Sequence, residues 1–155
     1  MSPDTALPSL EPDTTLVGPL QLGWRDSERI FAELFEMPVT LSEPDVTPVD
    51  GSPGATYEPV AEGQSTIVVM HFHAASEQGL AALILPRSSA RSLAARLVAT
   101  DDPHDDEVLA LMPAAAVETG NIVMNAILAR VGTSVGVHYR YEVPSIGSAH
   151  DLASW

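Results

Sequence analysis

The chain has 155 residues, of which 45% are hydrophobic, and its 21 acidic residues against seven basic ones, all arginine, give a net charge of −14. Such a surface repels nucleic-acid backbones and anionic membranes and suits a partner with a basic docking patch, although a solubility or halophilic adaptation accounts for the acidity equally well. Cysteine is absent, which excludes disulfides, thiolate metal sites and a cysteine nucleophile.

Nine of the 13 prolines precede residue 60. The opening residues mix Pro, Thr, Asp and Ser without apolar periodicity, so residues 1–20 are expected to be a disordered tail and residues 21–155 a single domain. The start Met1-Ser2-Pro3-Asp4 lacks the basic and apolar regions of a secretory signal, and no uninterrupted apolar run approaches the ~20 residues that span a bilayer. A cytoplasmic location is expected.

In chain order, Asp26 and Ser27 read as a cap followed by Ile30, Phe31, Leu34 and Phe35 at helical spacing, a first helix ending near Met37-Pro38. Val39 to Val46 reads as a strand, and Gly51-Ser52-Pro53-Gly54 as a turn. Ser65 to Ala74 and Gln78 to Pro86 are strand-length runs joined through Ala75-Ser76-Glu77, the pattern of an antiparallel hairpin. Ser88 or Ser89 caps a helix running to about Ala99. Acids from Asp101 to Asp106 then open a long helix where its dipole favours negative charge. Ser134 to Pro144 reads as a last strand. This order predicts an α+β domain with a mostly antiparallel sheet packed against long helices.

The long helix carries the candidate chemistry. Glu118 and Asn121 are three residues apart and Asn125 follows four later, so the three form one polar stripe, while Val117, Gly120, Met124, Ile127, Leu128 and Val131 recur on the other face. Gly120 costs ~1 kcal/mol in a helix interior, which points to a close-packing reason for it. A carboxamide such as that of Asn121 both donates to and accepts from one water molecule.

Glu118-Thr119-Gly120-Asn121-Ile122-Val123, with the helix running on to Gly132 and the strand to Pro144, resembles the Glu-x-x-Asn signature of the CheC/CheX chemotaxis phosphatases. The resemblance spans roughly Ile67 to Pro144 and includes the run Gly79 to Leu97, similar to the family's strand that hands over to a short helix. It implies a CheC-like fold, here with a shortened C-terminus because relatives usually add a hairpin after the proline. It also implies a partner, the phosphorylated form of a CheY-like response regulator, and a role for each residue. Asn121 would orient water for attack on the regulator's aspartyl phosphate, and Glu118 would pair with the regulator's lysine. The chain would need no cofactor of its own, since the magnesium belongs to the regulator. Ala114 stands where the family often has Asp or Ser, directly after Pro113, and Asn125 stands where a glycine is frequent. Both are counted with the binding surface. The first helix and strand, Glu28 to Val46, weakly echo Val123 to Pro144, as in a two-fold repeat, but the first copy has no Glu-x-x-Asn. The alternative within the same fold is a docking module, like the flagellar switch proteins, that binds a regulator or motor protein without hydrolysis. The short C-terminus leaves an open sheet edge and makes a homodimer an expectation.

Other motifs favour structural roles. His71 and His73 share one strand face, a spacing that metal sites use, yet no third ligand is near in sequence. The acids around His104 lack the alternation and central glycine of an EF-hand loop and read as helix capping. No serine-hydrolase elbow and no glycine-rich phosphate loop occurs.

Overall fold

A long hairpin and the 30-residue helix laid across it organise the structure, a computed structural model that describes residues 16–36, 38–41, 65–74, 77–102 and 104–148. In chain order these form α1 (Val17–Leu34), β1 (Ser65–Ala74), β2 (Glu77–Pro86), α2 (Arg87–Leu97), α3 (Asp106–Val135), β3 (Arg140–Tyr141) and β4 (Ser145–Gly147). The fold is α+β, three helices with a four-stranded antiparallel sheet.

β1 and β2 pair along their whole length, from Ser65 opposite Pro86 to Ala74 opposite Glu77. β3 and β4 both pair with the other side of β1, at Phe72 opposite Tyr141 and Val69 opposite Ser145. Ile67, Val68, Val69 and Met70 are all buried, which is why β1 reads as a continuous apolar run rather than an alternating one. Val68 and Met70 join Ala116, Met124 and Leu128 of α3 in the main core. A second cluster, Ala94, Ala95, Val108 and Ala115, fixes α2 to the first half of α3.

Small residues set how closely α3 lies to its neighbours. A Cβ on Gly120 would stand 2.6 Å from Val68 Cγ1, so the glycine expected to serve close packing does so against β1. A Cβ on Gly23 would stand 2.5 Å from the Ile127 Cα, which places the crossing of α1 over α3 at backbone contact. One turn on, Ser27 is fully buried and donates its hydroxyl to the Gly23 carbonyl at 2.9 Å. By length and composition alone α3 would suffice to cross a membrane. In this fold it packs against α1, α2 and the sheet.

Several boundaries differ from the sequence reading. α1 begins at Val17, so residues 17–20, assigned to the tail, are helical, and residues 1–15 lie outside the described residues. Pro19 falls in the first turn, where the missing N–H costs nothing. Asp26 is therefore not a cap; it sits in mid-helix and accepts a 2.6 Å bond from Arg130 Nε of α3. Val39–Leu41 form no strand: the Leu41 N–H donates at 2.7 Å to Glu28 on α1, and residues 42–46 and the turn at Gly51 are outside the described residues. Pro86 occupies the cap position of α2, with Ser88 and Ser89 inside its first turn. Of the strand expected over Ser134–Pro144 only Arg140–Tyr141 is extended pairing, and β4 begins just beyond it at Ser145. α3 runs on through Thr133 and Ser134, whose hydroxyls bond back to the Ala129 and Val131 carbonyls, and Gly136, at φ 69°, ends the helix in the left-handed conformation that glycine adopts freely. The hairpin and the start of α3 fall where expected, with Asp105 accepting the Glu107 N–H at 2.8 Å.

Candidate functional site

Among the described residues, three contacts decide which side of α3 is left uncovered. Gly120 and Met124 face Val68 on the sheet, Gly23 of α1 reaches Ala126 and Ile127, and α2 covers Val108 and Ala115. The side left over carries Leu111, Ala114, Glu118, Asn121, Ile122 and Asn125. Leu111, Ala114 and Glu118 are exposed, whereas Ile122 and both asparagines are half-buried. Pro113 lies within an unbroken helix, so Ala114 keeps its place one turn before Glu118. The structure thus brings together Ala114, Glu118, Asn121 and Asn125 on one face.

The two asparagines are joined. Asn125 Nδ2 donates to Asn121 Oδ1 at 2.7 Å, a length at the short end of the range for a neutral amide pair. Glu118 takes part in no ion pair among the described residues. Its neighbours one turn away along the helix are Ala114, Ala115, Asn121 and Ile122, none of them charged. Along this stretch the surface lacks bulk, because Ala114 ends at a methyl and Ile122 is half-covered.

Two concavities among the described residues lie away from the stripe. A groove of about 570 Å³ runs between α1, β2, α2 and α3, lined by Trp24, Phe31, Phe35, Leu83, Leu93 and Thr119 among others. A second, of about 400 Å³, lies at the C-terminal end of α3 beside Tyr139 and Tyr141, and neither includes Glu118, Asn121 or Asn125. The stripe lines neither of them, and small-molecule sites are concave, so its placement on a helix face suits a macromolecular partner better.

The remaining candidates have structural partners. His73 Nε2 lies 3.0 Å from Glu142 Oε1, tying β1 to the segment after β3. Asp102 accepts the His104 N–H at 2.8 Å in the turn before α3. Among the described residues no group of three or more His, Asp or Glu side chains could hold a metal ion. Sequence reasoning missed the Gly23 crossing, the Asp26–Arg130 link and the bond between the asparagines. Only the last left a trace, in the i, i+4 spacing of two amides. No protein-family model matches this chain, and neither does any curated protein.

Proposed function

We propose that the protein accelerates hydrolysis of the aspartyl phosphate of a CheY-like response regulator, in chemotaxis or a related two-component pathway. What carries the reading is the placement of Glu118 and Asn121 one turn apart on the open face of α3, surrounded by small and apolar side chains that leave room for a partner to approach. The chemistry needs little more. Phosphoryl transfer gains most of its acceleration from positioning and charge stabilisation, and a carboxamide can hold an attacking water in line with the phosphorus. Asn121 would direct that water and Glu118 would engage a lysine of the regulator, whose own magnesium neutralises the phosphoryl oxygens. The protein itself would contribute no metal or cofactor, and it would work in the cytoplasm with its regulator.

The test is the decay of a purified, phosphorylated CheY-like regulator with magnesium present. Wild type is expected to accelerate it, Asn121→Ala to lose about 100-fold, the scale on which one oriented group acts, and Glu118→Ala about tenfold in kcat/KM. Absence of acceleration by wild type ends the proposal.

A second reading has its own observation. Leu111 and Ala114 are exposed beside Glu118, an apolar flank without a group to act on phosphate, which suits docking of a regulator or motor protein without hydrolysis. Tight regulator binding without faster decay would select it. A homodimer through the outer edge of β3 and β4 is compatible with either reading, and sedimentation as a monomer at high concentration would remove it.

A further inference from the structure

We propose that Asn125 is a positioning residue for Asn121, setting which end of the Asn121 carboxamide faces the attacking water. The inference rests on the phosphatase reading and gives a task to a residue beyond the Glu118/Asn121 pair.

An asparagine carboxamide on an open helix face has a broad, roughly two-fold terminal torsion, so its oxygen and nitrogen exchange places readily. For a group whose task is to hold one water on one line, half of those orientations present a donor where an acceptor is needed. Asn125 restricts that rotation, and the arrangement in the structure turns the Asn121 oxygen toward it. Its Nδ2 donates to Asn121 Oδ1 at 2.7 Å, and because the amide is planar, fixing the oxygen fixes the nitrogen as well. Both side chains are half-buried, so water competes less well for the bond than it would on a fully exposed surface. The bond takes one oxygen lone pair of Asn121. The second lone pair and both N–H donors remain, enough for one water to donate to the oxygen and accept from the nitrogen. Asn125 therefore touches neither water nor phosphate; it acts through Asn121.

A purely structural role for the pair makes a different forecast. Exposed i, i+4 amide pairs add only a little helix stability, so on that account losing Asn125 leaves the rate alone. The experiment compares wild type, Asn125→Ala, Asn125→Asp, Asn121→Ala and the double variant Asn121→Ala/Asn125→Ala in regulator dephosphorylation across a range of phosphorylated-regulator concentrations up to saturation, with the side-chain amide resonances of both asparagines followed by NMR. Asn125→Ala is expected to lower kcat about tenfold with KM for the phosphorylated regulator within about twofold of wild type, and to shift the Asn121 amide protons. Asn125→Asp substitutes an acceptor for the donor, draws the Asn121 nitrogen toward it and should lose at least as much. The double variant should be no slower than Asn121→Ala alone, because a residue that acts only through Asn121 has nothing left to position. Wild-type kcat in Asn125→Ala, or a further loss in the double variant, overturns the proposal while the phosphatase reading stands. A wild-type protein that accelerates no regulator removes that reading, and the positioning role falls with it.

Discussion

The two sides of α3 obey opposite rules. Toward the sheet and α1 the helix is built from Ala116, Gly120, Val123 and Met124, all buried, with backbone approaching backbone at Gly23. Toward solvent it carries exposed Ala114 and Glu118 and half-buried Asn121 and Asn125, the last two bonded to each other. Close packing makes the first side intolerant of even one added methyl group, whereas the second side can change without cost to the fold. The polar stripe is therefore expected to contribute little to folding. A surface of that kind is available to selection for function alone.

The comparison breaks most visibly at Gly23. Gly23→Ala should destabilise the protein by about 3 kcal/mol despite alanine's better helix propensity, because its methyl would meet the Ile127 backbone, which cannot rotate aside. Chemical denaturation monitored by circular dichroism measures it, and a variant as stable as wild type would show that α1 can slide. Gly120→Ala should cost less, about 1–2 kcal/mol, since its methyl meets the side chain of Val68 rather than backbone, though Val68 is fully buried and has little room to move. If Gly120→Ala instead stabilises, helix propensity has won and the close approach to β1 is soft.

On the other side, Glu118→Ala and Asn121→Ala should each change stability by less than about 0.5 kcal/mol, the ordinary range for surface substitutions. For Asn121 the lost amide bond is offset by the gain in helix propensity. A large loss of stability in either variant would mean that the stripe serves the fold.

The smallest effect belongs to the link between α1 and α3. The hydrogen bond from Arg130 holds the Asp26 carboxyl below its usual value of 3.8, with burial opposing. A depressed folded-state value contributes stability that is present above 3.8 and is lost as pH falls through the lower, folded value. Arg130→Ala should therefore lower Tm slightly near neutral pH and make no difference at the acid end, a convergence that melting curves across pH would reveal. The Arg130 end of the pair is about half exposed, at 48%, and solvent screening there keeps the effect small.

The hairpin was legible because each strand is an apolar run of strand length and only two residues separate them in sequence. The start of α3 was legible because acids concentrate at its first turn, and its polar stripe followed from the helical period. Those signals are local, written in neighbouring residues. The start of α1 was misread because Asp26 looks like a cap to anything that sees only the next four residues, whereas its partner, Arg130, lies 104 positions away. The final strand was misread for a related reason: β-branched residues from Val135 onward suggest extension, but α3 runs on through Thr133 and Ser134 and the glycine at 136 sets the helix end. Sequence alone thus determined which residues share a face of α3. Tertiary structure decided which face is covered, because that depends on where Gly23 and Val68 approach the helix, and such approach is a property of distant segments meeting in space.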